Sequence, residues 1–196
     1  MSGLAYRYGA NAHLIRYADD VVIVVGKDVN KAMEKLQEII SSMGLELSTE
    51  KTRIVKANEG FDFLGFHFTR VYSHRRRRNV IRWFPSEKAE NSIRRRMREV
   101  TERSRLATTL PDEAREILMP ILRGWGNYFA YGTVSSKVRS IFYYAEASLM
   151  RMYCNQHHTP ARWEYCDVKL RHLSVMEYMP ETLMANGYKS YCEGSR

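Results

Sequence analysis

Apolar positions near the start of the chain fall into two arms. His13–Tyr17 and Val21–Val25 are parted by Ala18-Asp19-Asp20. The second arm, Val21-Val22-Ile23-Val24-Val25, is unbroken, the pattern of a strand covered on both faces. The pattern predicts a β-hairpin with adjacent carboxylates at its tip, ended by Gly26-Lys27-Asp28. Asp28 then reads as the N-cap of a helix running to Met43. Met33, Leu36, Ile40 and Met43 recur at helical spacing, with Gly44 as the stop.

Period-two alternation returns afterwards. Leu45-Glu46-Leu47 and Arg53-Ile54-Val55 read as short strands about the polar turn Ser48-Thr49-Glu50-Lys51-Thr52. Phe61 to Phe68 reads as an aromatic strand pair bent at Gly65, either a bulge or a close backbone approach. Ser73-His74-Arg75-Arg76-Arg77-Arg78-Asn79 is a basic loop, followed by an extended Val80–Phe84 and Pro85. A domain boundary is placed here.

Helical spacing dominates the second half. Ser86 can cap a helix over 87–105 with Ala89, Ile93, Met97 and Val100 inward. Arg94, Arg95, Arg96 and Arg98 would form its basic outer face. Pro111-Asp112-Glu113 suits the first turn of a second helix. Pro120 predicts a break or kink, then a further segment through Phe129. Ser135 or Ser136 starts a third helix to about Asn155, with Val138, Ile141, Phe142, Ala145, Leu149 and Met152 inward. Residues 159–196 are weakly patterned, with Pro160 and Pro180 as punctuation.

Composition narrows the class. Apolar residues make up 44% of 196, enough for a core and against wholesale disorder. No apolar run reaches the ~18 residues of a membrane span. The start lacks the apolar stretch of a secretory signal. Cys154, Cys166 and Cys192 are odd in number and widely spaced, favouring thiols in a reducing, cytoplasm-like compartment. With His157 and His158 they lack the paired spacing of a zinc site.

The net charge of +9 is concentrated. Residues 70–105 hold 13 Lys and Arg against 4 Asp and Glu, while 1–69 hold 8 against 9. Such a block implies a polyanionic partner, foremost nucleic acid; a solvated loop is the plain alternative. Asp19 and Asp20 are costly neighbours unless something positive meets them. A pair of Mg²⁺ ions, hard cations that take oxygen ligands, would do so.

Four blocks occur in order: Tyr17-Ala18-Asp19-Asp20, then Gly44-Leu45-Glu46-Leu47-Ser48-Thr49-Glu50-Lys51-Thr52, then Phe63-Leu64-Gly65-Phe66, and last Leu122-Arg123-Gly124-Trp125-Gly126-Asn127-Tyr128-Phe129. Together they resemble the group II intron reverse transcriptases, or intron-encoded maturases, over residues 10–158. The resemblance implies an α+β fold: a partial polymerase palm, an antiparallel sheet with a helix, followed by an α-helical thumb bundle. It divides the chain into 1–70 (end of the palm), 71–85 (basic connection), 86–158 (thumb, or maturase-specific domain) and 159–196 (irregular tail).

By the same resemblance, Asp19 and Asp20 would be catalytic metal ligands in a two-metal Mg²⁺ site. Tyr17 and Ala18 would lie along the primer end and incoming nucleotide. Lys51 would approach the departing pyrophosphate, its alternative being a solvated turn lysine. Leu64 and Gly65 would form a primer grip. Arg75, Arg76, Arg77 and Arg78, with Arg94, Arg95, Arg96 and Arg98, are the candidates for contact with template–primer or intron RNA, since arginine clamps phosphates and stacks on unpaired bases. Trp125, Tyr128 and Phe129 read as thumb core rather than stacking platform, with Gly124 and Gly126 allowing close helix packing.

The family's earlier palm block, which supplies a further metal-binding Asp, is not present, and residues 1–12 hold no acid. The expectation is a C-terminal piece of an RNA-directed DNA polymerase, with an incomplete Mg²⁺ site and no polymerisation alone. Its expected partners are intron RNA, RNA template with DNA primer, and the N-terminal fingers and palm part, with no membrane. The expected setting is the cytoplasm of a bacterial or archaeal cell, or an organelle. Two alternatives stand beside this: a non-catalytic RNA-binding module that assists splicing, and a CRISPR-associated or retron-like reverse transcriptase.

Overall fold

The computed structural model describes residues 5–8, 12–48, 50, 52–103, 110–158 and 174–180. The chain forms two compact units, 1–56 and 57–196. Each is mixed in composition, and the described residues carry four α-helices and two small antiparallel sheets. This agrees with the α+β class.

In the first unit β1 (Ala5–Tyr8), β2 (Ala12–Tyr17) and β3 (Asp20–Val25) form a sheet in that order, followed by α1 (Val29–Ser42). The β2–β3 register pairs Tyr17 with Asp20, Leu14 with Ile23 and Ala12 with Val25. Directly opposed residues share a face. Ala12, Leu14, Ile23 and Val25 thus share one face and, with Ala32, Leu36 and Ile39 of α1, line a groove. His13, Ile15, Tyr17, Asp20, Val22 and Val24 lie on the other.

The expectation that Val21–Val25 is covered on both faces is not met. Val21 and Val24 are exposed, because α1 packs against one face and does not reach the tip. Strand β1 was not foreseen. Asp28 precedes α1 but is left-handed (φ 57°) and its side chain makes no capping bond, so the predicted N-cap is corrected.

The C-terminal stop is as predicted. Gly44 (φ 70°) closes α1, with Gly44 N–H donating to Ser41 O and Leu45 N–H to Ile40 O. These are the two bonds of a Schellman cap. Met43 is exposed rather than inward. Leu45–Leu47 and Arg53–Val55 are not strands: neither segment joins a ladder, and alternation alone does not satisfy backbone groups. At the expected polar turn, both Thr52 N–H and its hydroxyl donate to Ser48 O; Thr49 and Lys51 lie outside the described residues.

In the second unit β4 (Phe61–Phe63), β5 (Phe66–Ser73) and β6 (Arg78–Pro85) form an antiparallel meander. The residues expected as a connection, 71–85, therefore belong mostly to two strands of this sheet. The two compact units divide at 56/57. Alternating positions in 66–85 carried that signal, and the arginine run obscured it.

Helices α2 (Glu87–Arg103), α3 (Pro111–Phe129) and α4 (Ser135–Gln156) pack around Ile93, Met97, Leu118, Leu122, Ile141, Phe142 and Leu149. Ser86, buried, caps α2 by accepting from Ala89 N–H. The end of the predicted 87–105 helix lies outside the described residues. Helix α3 runs unbroken through Pro120, so the expected break is not found. The imino ring removes one helical bond, but Pro120 is exposed, so the stranded carbonyl can be hydrated. The buried stripe Ala114, Leu118, Leu122, Gly126 and Phe129 continues across it.

The expected tail is more than irregular punctuation. Val175, Met176 and Met179, at a 3₁₀ turn (Met176–Tyr178), are buried in the same core. Pro160 and most of 159–196 lie outside the described residues.

Gly126 and Gly124 differ. A Cβ on Gly126 would sit 2.9 Å from Phe142 Cζ, whose ring is fully buried; a Cβ on Gly124 meets nothing within 4 Å. Gly124 thus does not serve close packing. Gly126→Ala gains about 1 kcal/mol of helix propensity but incurs an overpacking cost of about 1–3 kcal/mol. Urea denaturation is expected to show Gly126→Ala less stable than the parent and Gly124→Ala more stable.

Candidate functional site

The acidic hairpin turns in two residues, Ala18 and Asp19. Ala18 is left-handed at φ 50°, and its carbonyl accepts from Arg16 Nε–H at 2.9 Å. Asp20 is the first residue of β3, one position earlier than predicted. Asp19, Asp20 and Tyr17 are all exposed. Asp20 and Tyr17 lie on the sheet face turned away from α1. Two carboxylates one peptide apart, open to solvent, suit a hard divalent cation whose remaining oxygen ligands come from water or phosphate. No cluster of three or more His, Cys, Asp or Glu side chains with metal-binding geometry occurs among the described residues. Lys51 lies outside the described residues.

Leu64 and Gly65 sit in the second unit, as the two-residue turn between β4 and β5. Both have positive φ, 49° and 78°, the requirement of a type I′ hairpin turn. Gly65 is therefore a turn glycine and not a bulge. Leucine is strained there, at a cost of about 1–2 kcal/mol. The turn is held from two sides. Tyr128 OH donates to Leu64 O at 2.8 Å, and Ser86 N–H donates to Gly65 O at 2.8 Å. Phe129 closes over the turn, its Cζ 3.4 Å from where a Gly65 Cβ would be.

Phe66 packs against Tyr128 (5.4 Å between centroids) and edge-on to Phe129 (4.7 Å). Of the aromatic triplet expected in the core, Phe129 is buried and Trp125 half-buried. Tyr128 is 52% exposed and acts through its hydroxyl.

The predicted arginines divide. Arg75, Arg76 and Arg77 lie in the β5–β6 turn and Arg78 opens β6, all exposed. Arg76 is anchored within the turn by its backbone N–H, which donates to Ser73 Oγ. Arg95, Arg96 and Arg98 are exposed on α2, with Arg95 Nε 3.9 Å from Glu99. Arg94 is not on that outer face. It is half-buried, 3.4 Å from Glu90, and its guanidinium lies 5.2 Å from the Tyr144 ring centroid. Glu90 also takes Lys137 of α4 at 3.0 Å. One carboxylate thus ties α2 to α4, and Arg94 is engaged in that tie.

Sequence reasoning missed Arg70, Tyr72 and Ile81, exposed on one face of the β5–β6 ribbon. The period-two spacing of Arg70 and Tyr72 was the available signal. It also missed the pair formed by His67 Nδ1 and Asp62 at 2.7 Å, directly across β4–β5. Cys154 is buried on α4; Cys166 and Cys192 lie outside the described residues.

Comparison with known proteins finds two families along the chain. Residues 2–68 match the family described as reverse transcriptase (RNA-dependent DNA polymerase), and residues 90–168 match the group II intron, maturase-specific domain. The chain is 37% identical over 81 residues to Protein YkfC of Escherichia coli (strain K12). That alignment covers 39% of this chain and 21% of YkfC, so the chain spans about a fifth of its relative.

The clamp on the hairpin turn is measurable. Tyr128→Phe removes the hydroxyl from Leu64 O and leaves the ring stack, so a loss of about 0.5–1 kcal/mol is expected by urea denaturation, at the lower end of a hydrogen bond's net worth because the site is half open to water.

Proposed function

This chain belongs to the group II intron reverse transcriptase and maturase family, and we propose that it contributes the acidic hairpin and the RNA-binding helical part of an RNA-directed DNA polymerase. In this reading residues 1–70 are the end of the palm and 86–158 the thumb. The carrying observation is the placement of Asp19 and Asp20 together at a solvent-open hairpin tip, with Asp20 and Tyr17 on the face that α1 leaves free.

The chemistry is nucleotidyl transfer. A bond forms between the primer 3′-oxygen and the α-phosphorus, and the bond to pyrophosphate breaks. Bound Mg²⁺ would supply Lewis-acid stabilisation of the attacking and leaving oxygens. Asp19 and Asp20 would hold it by carboxylate oxygens. Tyr17, on the same face as Asp20, would flank the primer end and, with Ala18, the incoming nucleotide. Arg16, bonded to Ala18 O, fixes the turn and so the two acids. Lys51 would meet the departing pyrophosphate and neutralise or protonate it. Leu64 and Gly65 would guide the primer; their carbonyls are already committed to Tyr128 and Ser86, which leaves the shape of the turn as their contribution.

A second reading is favoured by the arginines at 75–78, which meet no carboxylate among the described residues, and by the maturase-specific match. Here the chain holds intron RNA and assists splicing without chemistry of its own. One pair of substitutions separates the two. In the polymerase that contains this chain, Asp19→Asn with Asp20→Asn should lower primer extension on an RNA template by about a hundredfold or more. Mn²⁺ binding, followed by electron paramagnetic resonance, should weaken in parallel. RNA affinity and splicing assistance should stay within about twofold. Undiminished extension would refute the metal-site assignment.

A further inference from the structure

We propose that the distal half of the β5–β6 ribbon is a site for single-stranded RNA, in which Tyr72 stacks an unpaired base while Arg70 and Arg75–Arg78 grip the neighbouring phosphates. This rests on the RNA-binding reading above and deepens it by naming unpaired nucleotides as the ligand.

The register sets the face. Arg70 stands opposite Ile81 and Tyr72 opposite Asn79, in line with Phe66, Phe68, Trp83 and Pro85. Near the helices this face is used internally. Phe66 packs on Phe129, and Trp83 is fixed by donating its indole N–H to Tyr131 O and its backbone N–H to Thr133 Oγ1. Those contacts make the near half of the ribbon a rigid base. Past Phe68 and Trp83 the same face is open: Tyr72 is 54% and Ile81 52% exposed.

Tyr72 has one ring neighbour among the described residues, His74, perpendicular to it at 86° and 5.2 Å. That contact braces the tyrosine without occupying it with a parallel partner. A base can stack on an exposed ring, whatever its sequence, and such stacking is a main source of affinity for unpaired strands. Asn79, directly across, offers an amide donor and acceptor to a base edge.

The charges complete the site. Arg70, Arg75, Arg76, Arg77 and Arg78 have no carboxylate within 4.0 Å among the described residues, in contrast to Arg94 and Arg95. Four successive guanidinium groups in and beside one turn repel each other unless a polyanion lies among them. Phosphates of a duplex would satisfy the arginines but leave Tyr72 idle, because paired bases present no free face. An exposed aromatic interleaved with unpaired arginines favours a splayed, single strand.

The test uses the whole chain and fluorescence anisotropy with two labelled probes, an oligouridylate of about twelve nucleotides and an RNA duplex of the same length. Tyr72→Ala should weaken oligouridylate binding about 5- to 100-fold and leave duplex binding within about twofold. Tyr72→Phe should retain parental affinity, since the ring and not the hydroxyl stacks. Replacing Arg75 to Arg78 together by Ala should weaken both probes and reduce the salt slope for the single strand by up to about 3.

Equal loss on both probes with Tyr72→Ala, or no loss on the single strand, overturns base stacking. If the four-arginine variant still loses RNA in that case, the RNA-binding reading survives alone. A parent chain that binds neither probe but binds phosphatidylserine vesicles overturns both.

Discussion

A strained turn clamped by a helix holds the second unit together. Leu64 and Gly65 both take left-handed backbone, a conformation that leucine resists, and the sheet–helix junction supplies what keeps them there. Ser86, the residue that starts α2, donates its backbone N–H to one carbonyl of the turn, and Tyr128, near the end of α3, donates its hydroxyl to the other. Phe129 and Phe66 fill the space between. Sheet, α2 and α3 therefore converge on two peptide groups. The block Phe63-Leu64-Gly65-Phe66 and the block Trp125–Phe129, far apart in sequence, are two halves of one contact.

Much of the skeleton was legible because its signals are local. Ser86 before a helical stripe, Gly44 after one, and the Val138–Met152 spacing each name an element by themselves, and each is found. The Asp19-Asp20 tip is also local, a polar break in two apolar arms. Failures came where a partner decides. Leu45–Leu47 and Arg53–Val55 alternate like strands yet have no ladder to join. Pro120 carries a helix-breaking signal that the stripe from Leu118 to Leu122 overrides. Val175 and Met179 look like tail residues until the core that receives them is seen.

Charge shows the same limit. The sequence places Arg94, Arg95, Arg96 and Arg98 on one helix but cannot say which of them answers an internal acid. Glu90 decides it: by engaging both Arg94 and Lys137, it turns one of the four into a strut between α2 and α4 and leaves the others facing solvent. Conversely, Arg70 gains weight only once the β5–β6 register sets it across from Ile81 on the face of Tyr72, whereas Arg82, opposite Thr69, falls on the other face. A count of basic residues finds the basic region; the pairing pattern shows which of its members are engaged internally.

Among the described residues strand β3 lies at an edge of its sheet, and it reads Val-Val-Ile-Val-Val after its first residue. An edge of that composition, without proline or glycine, is a template for intermolecular β-pairing and fibril growth. Charges flank its apolar run, Asp19 and Asp20 before the valines and Lys27 and Asp28 after them, acting as gatekeepers. The two acids that suit a cation thus also guard solubility. Their loss would leave the apolar run with flanking charge at one end alone.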